Sequence, residues 1–131
     1  MPVGLTLYKM LTFLIAPFAG AIFRRRARAG KENAARIPER FTKTPTPRPP
    51  GPLIWLHAAC VGESQILMEL ARRLILEGLH GTKILLTCQT QTAARLVEKA
   101  IDTVDRPDDV HLLQRMAPVD TAKAARRFVT H

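Results

Sequence analysis

The sequence is poor in several residue types, and each shortage narrows what the chain can be. Only two cysteines occur among 131 residues, Cys60 and Cys88, both inside apolar segments and without metal-ligand spacing. A disulfide-rich secreted scaffold is therefore excluded, and a reduced cytosolic setting is the default. No HExxH, CxxC or carboxylate cluster occurs, so neither a metal nor another cofactor is expected. GxGxxG and GxxxxGK[ST] are also missing, which argues against a dinucleotide site or a P-loop. Acidic residues are scarce at the start: residues 1–50 hold two of them against ten Lys and Arg, whereas residues 51–131 hold nine against ten. Almost all of the net charge of +9 thus lies ahead of the globular part. A nucleic-acid-binding domain spreads its basic residues over a folded face, so nucleic acid is not expected as a partner. A basic cluster directly behind an apolar run is what a lipid surface selects.

That apolar run is Val3 to Phe23, VGLTLYKMLTFLIAPFAGAIF, and RRRARAGK follows it at once. A helix of this length, at about 1.5 Å per residue, nearly matches a hydrocarbon core of about 30 Å. Pro17 is expected to kink it, and Gly4, Gly20 and Lys9 weaken a clean span, so crossing the bilayer and lying shallowly in one leaflet both stay open. Arg24, Arg25, Arg26, Arg28 and Lys31 place the downstream side on the cytoplasmic face. A cleaved signal peptide fits poorly, because its positive charge precedes the apolar region. Next, ENAARIPER has helical composition broken by Pro38, and FTKTPTPRPPGP is an extended, stiff tether. The expected division is a membrane anchor with its basic flank over 1–31, a short helix and proline-rich linker over 32–51, and an α/β domain over 52–131.

Within that domain, LIWLHA at 53–58 reads as a strand covered on both faces of a parallel sheet. A helix follows, with Ile66, Leu67, Leu70, Ala71, Leu74 and Ile75 at core spacing and Gly78 or Gly81 as its stop. The unit repeats as a strand over 82–88 and a helix capped by Thr90. A short strand at 110–113 comes next, then a helix for which Asp120 is the expected N-cap. Strand–helix units in succession predict an open α/β sheet, and three strands leave it incomplete. The reading favours a fragment of a longer chain.

Open α/β sheets bind ligands outside the carboxyl ends of their strands. The first such end is HAACVGES, residues 57–64. Gly62 offers a tight or left-handed turn with close backbone approach, and Glu63 opens the helix, where its ionised form is favoured. An ionised Glu there can take a proton from an attacking hydroxyl within about 3 Å, or serve simply as a first-turn residue. His57 reads as a core imidazole or a site residue. Cys60 reads as a small filler or a nucleophile without an assignable partner. Ser64, Thr87 and Thr90 read equally as helix caps or anion-holding hydroxyls.

Taken in order, GKENAARIPERF, GPLIWLHAACVGES, KILLTCQTQTAARL and MAPVDTAKAARRFVTH behind an apolar segment resemble the N-terminal part of 3-deoxy-D-manno-octulosonic acid (Kdo) transferases. The resemblance implies an incomplete Rossmann-like parallel sheet, the N-terminal half-domain of a GT-B glycosyltransferase, behind a membrane-anchoring helix. It implies transfer of Kdo from CMP-Kdo to the lipid A precursor at the cytoplasmic face of the bacterial inner membrane. The general base would be Glu63, the Glu of the family's VGE motif. The acceptor side would be formed by this part, and the donor held mainly by a C-terminal domain. Cys60 stands where the family commonly has Ser, and Ala93 where it often has Gly. Two other readings compete: a GT-B transferase using a different nucleotide sugar, and a non-catalytic membrane-anchored interaction module.

Overall fold

A computed structural model describes residues 2–43 and 48–130. Prolines 45 and 47 of the expected tether lie outside the described residues. The chain forms two compact units, one of residues 48–117 and one that joins the N-terminal segment to residues from Pro118 onward.

The first unit begins with α1, Val3–Arg28, a helix long and apolar enough by length and composition to cross a membrane. Pro17 lies inside it without ending it, and the helix extends beyond the apolar run to take in the basic residues. Arg25, Arg26 and Arg28 occupy its last turn, where cations face the negative end of the helix dipole. Gly30, at φ 74°, closes it: the Lys31 N–H reaches the Arg26 carbonyl and the Gly30 N–H the Ala27 carbonyl. A 3₁₀ turn, Ala34–Arg36, then leads into the short α2, Ile37–Arg40. Pro38 was expected to break this stretch. Instead it sits in the first turn of α2, where its missing N–H costs nothing.

Two charged side chains fill the interior of this unit. Arg40 Nη2 donates to Glu32 Oε1 at 2.7 Å, and both side chains are only 1% exposed. The Arg40 guanidinium also lies 5.3 Å from the centre of the Phe23 ring, and Phe23 meets Phe41 edge-on. The carbonyl of Arg40 accepts the Val119 N–H at 2.7 Å, which ties α2 to the segment before α5, Ala122–Thr130. Asp120, the expected cap of α5, does not cap it. The Thr121 hydroxyl accepts the Ala124 N–H at 3.3 Å, and Asp120 instead accepts the Tyr8 hydroxyl of α1. A β-hydroxyl one residue later reaches the third amide as well as a carboxylate does, and that leaves Asp120 free for a distant partner.

The second unit is the α/β domain expected of a GT-B half-domain. Its strands, β1 (Leu53–Ala58), β2 (Lys83–Cys88) and β3 (His111–Met116), lie in the order β1-β2-β3, all parallel. Register pairs Leu53 with Lys83 and Lys83 with His111, so the three carboxyl ends finish level. The crossover helices α3 (Val61–Leu76) and α4 (Gln91–Ile101) pack on each other and on the sheet. Ile84, Leu86, Cys88, Leu112 and Met116 meet Met68, Ala71, Ala93 and Val97 in the core. α3 ends at Gly78, φ 95°, with the Leu79 N–H on the Leu74 carbonyl. At the amino ends of β2 and β3, the Gly81 N–H donates to Asp109 at 2.7 Å and holds its carboxyl below the ordinary carboxylate range.

Two expectations about faces change. The α3 residues turned inward are Ser64, Met68, Ala71 and Ile75, whereas Ile66 is 69% exposed and Leu70 is exposed too. The helix carries apolar residues on more than one side, and the stripe that wins is the one that also seats the small Ser64 and Ala71 against the sheet. β1 is not covered on both faces among the described residues: Trp55 is 49% exposed, and His57 is exposed beside it.

Candidate active site

The level ends of the strands gather the candidate residues. Ala58, at the end of β1, accepts the Gln89 N–H at 3.0 Å, and Cys88, at the end of β2, accepts the Ala117 N–H at 2.9 Å. These bonds knit the exit loops of β2 and β3 to the neighbouring strands.

Glu63 stands at the third position of α3, behind Cys60 as N-cap. Its Oε2 accepts the Ala59 N–H at 2.6 Å. The side chain thus curls back over the helix start, as the Glu of a capping box does, one residue further upstream than usual. That fixes the carboxylate at the mouth of the loop, in the field of the helix N-terminus, with the residue exposed to solvent. Among the described residues, Oε1 has no hydrogen-bond partner and remains able to accept a proton.

The other candidates separate by what already holds them. Ser64 is buried, and its hydroxyl donates to the Val61 carbonyl at 2.7 Å, so it is a first-turn residue and contributes nothing to the mouth. Thr90 caps α4, accepting the Ala93 N–H at 3.2 Å. Cys60 is exposed and does not cap the helix through its side chain. Gly62 is helical, in the first turn of α3, and does not adopt the left-handed turn expected of it. A Cβ there would meet nothing within 4 Å, so the fold itself leaves that space open above the helix start.

Thr87 has a role that its position alone did not announce. Its hydroxyl is fully buried, accepts the Trp55 Nε1–H at 2.9 Å and lies 3.0 Å from His57 Nδ1. One buried oxygen therefore orients both ring systems of β1 on the open face of the sheet. His57 is not a core imidazole; it is exposed and anchored through one ring nitrogen. The signal for this was the in-register pairing of His57 with Thr87, which a sequence read strand by strand does not display. A groove of about 640 Å³ also runs along the outer side of α3, lined by Gly62, Gln65, Ile66, Glu69, Leu70 and Arg73.

The cap at Thr90 makes a direct prediction. Thr90→Ala is expected to lower the stability of the α/β unit by about 1 kcal/mol, and Thr90→Ser to retain most of it. Denaturant unfolding followed by Trp55 emission reads both. Equal losses in the two variants would mean that the methyl group, and not the hydroxyl, matters.

A family model described as 3-deoxy-D-manno-octulosonic-acid transferase (kdotransferase) matches residues 35–131, a span that holds the VGE turn and all three strands. The chain belongs to the Kdo transferase family. A probable mitochondrial 3-deoxy-D-manno-octulosonic acid transferase of Arabidopsis thaliana is 34% identical over 125 residues, covering 95% of this chain and 26% of the relative. A 3-deoxy-D-manno-octulosonic acid transferase of Rickettsia bellii (strain RML369-C) is 34% identical over 98 residues, covering 75% and 23%. The chain therefore spans about a quarter of the length of the curated relatives it matches. No solved structure matches it. Within the Kdo transferase family match fall Glu63, His57, Cys60, Thr87 and Thr90, whereas all of α1 lies ahead of it.

Proposed function

We propose that this chain is the acceptor-side portion of an enzyme that moves Kdo from CMP-Kdo to the lipid A precursor, with Glu63 as general base. The observation that carries the reading is the state of the Glu63 carboxylate. One oxygen is tied to the Ala59 N–H, which fixes the side chain, and the other has no hydrogen-bond partner among the described residues in a side chain exposed to solvent. A base held in this way is pre-positioned and costs no reorganisation when the acceptor arrives.

The chemistry follows from that placement. An acceptor sugar hydroxyl seated over Gly62 would give its proton to Glu63 Oε1 while its oxygen attacks the anomeric carbon of Kdo. The bond from that carbon to CMP breaks, CMP departs with the electron pair, and a single displacement inverts the anomeric centre. Cys60 and Gly62 would border the approach of the acceptor, and His57, steadied by Thr87, would face it from the strand. The donor nucleotide would be bound by a part of the enzyme outside this chain. Location at the cytoplasmic face of the bacterial inner membrane belongs to the same reading, supported by α1 and by the basic residues in its last turn. The lipid surface and the phosphorylated lipid acceptor would then be met together.

The enzyme containing this chain should restore Kdo incorporation in a bacterium depleted of its own Kdo transferase. Membranes from that strain should transfer Kdo from CMP-Kdo to lipid A precursor. Transfer only from a UDP- or GDP-sugar would replace the proposed donor, and no transfer at all would remove the catalytic reading.

A further inference from the structure

We propose that α1 lies in the plane of one membrane leaflet and does not cross the bilayer; this rests on the membrane reading above and deepens it. The argument starts from what α1 already touches. Tyr8 bonds to Asp120, Thr12 and Ala19 are buried, and Phe23 packs on Arg40 and Phe41. At 3.6 residues per turn, Tyr8, Thr12, Ala16, Ala19, Phe23 and Ala27 form one stripe along the helix. Small residues in its middle let other backbone come close. Thr12 and Ala19 on this stripe are buried and Ala16, Phe23 and Ala27 half-buried, while Tyr8 at its head stays exposed and is tied to protein through Asp120.

Two of the residues that meet the stripe are charged, Asp120 at Tyr8 and Arg40 at Phe23. From Tyr8 to Phe23 is roughly 22 Å along the axis at 1.5 Å per residue. In a crossing helix whose core ends at Arg24, a hydrocarbon slab of about 30 Å would place Phe23 at the near boundary and Tyr8 deep toward the far one. Asp120 would have to follow Tyr8 to that depth. With it would go α5, which begins two residues later and carries the exposed Lys123, Arg126 and Arg127. Charges carried into hydrocarbon without partners are strongly disfavoured, and the backbone of residues 117–121, which is neither helix nor strand, has no place there.

An in-plane helix meets no such conflict. Its protein side keeps Asp120, α2 and α5 in water, and its opposite side is free for lipid. That side carries Val3, Leu7, Met10, Leu14 and Phe18, each more than half exposed. Arg25 and Arg28 continue the same side at the end of the helix, where anionic headgroups complement them. The occupant of this surface is thus a single anionic leaflet, entered to a depth of about 5–10 Å.

The test is topological and uses the membrane-bound protein. An uncharged epitope with a protease site is fused ahead of residue 1, and spheroplasts and inverted vesicles are prepared from expressing bacteria. A membrane-impermeant maleimide on the exposed Cys60 marks the side occupied by the α/β unit. The expected result is cleavage of the epitope only in the preparation that labels Cys60. Cleavage from the opposite side, or from both sides, overturns the in-plane arrangement. Recovery of the chain in the soluble fraction before any protease is added instead removes the membrane reading, so the two failures are told apart.

Discussion

Glu63→Gln in the complete enzyme is expected to lower turnover by about 10²–10⁴-fold, the usual consequence of removing a general base. The substitution is informative because of the bond to Ala59. A glutamine carbonyl can still accept that N–H, so the helix start and the loop keep their geometry. The amide nitrogen that replaces Oε1 cannot take a proton from a hydroxyl. Acceptor affinity is expected to change far less than turnover, because the lost interaction belongs to the transition state. Glu63→Ala removes the proton acceptor and the tether together, and a further fall would measure the tether. Cys60→Ser, which restores the commoner family residue, should leave turnover nearly intact. A Glu63→Gln enzyme that transfers Kdo at the parent rate would reduce Glu63 to a capping residue. Loss of transfer in a well-folded Cys60→Ser enzyme would return the thiol to consideration.

The second large effect is structural. Arg40→Ala should destabilise the helical unit by about 3 kcal/mol, because it takes the close, buried counter-charge from the Glu32 carboxylate and leaves only Arg26, 4.0 Å away and 46% exposed. Glu32 Oε2 already has no hydrogen-bond partner among the described residues, so the distant and solvated Arg26 compensates only in part. Replacing both partners, as in Glu32→Leu with Arg40→Met, should recover most of the loss, since an apolar pair of similar volume avoids the desolvation cost. The sole tryptophan lies in the other unit and cannot report this. Hydrogen exchange of the amides at residues 36–42 and 119–125 can. A double variant as unstable as the sum of its single ones would show that the two charges are not coupled.

These two sites differ in how far the sequence announces them. Glu63 is legible because a strand, a small-residue turn and a helix start are all local patterns, and together they fix where the carboxylate stands. The strands and the Thr90 cap are legible for the same reason: each is decided within about ten residues. The Glu32–Arg40 pair is not. ENAARIPER reads as a solvated helix face, and its burial depends on Phe23, Phe41 and Val119, which come from separate stretches of chain. The choice of Thr121 over Asp120 as cap is hidden in the same way, because the competitor for Asp120 is Tyr8. Ile66 and Leu70 mislead because helical spacing reveals that apolar faces exist on α3, not which of them meets the sheet. Thr87 is intermediate: its residue type suggested a polar role, and only strand register shows that the role is to hold Trp55 and His57.

The Tyr8–Asp120 bond also sets an order of events during synthesis. Its partners are separated by 112 positions, whereas each strand of the sheet pairs with the next one made. At roughly 5–20 residues per second, Asp120 is added about 6–22 s after Tyr8. Throughout that interval the α/β unit can assemble strand by strand, while the stripe on α1 waits for its protein cover. A nascent helix with apolar residues on every side is the species that aggregates or is captured by lipid. The leaflet would therefore act first as a holding surface for α1, and α5, made later than the sheet, would settle onto a helix already in place.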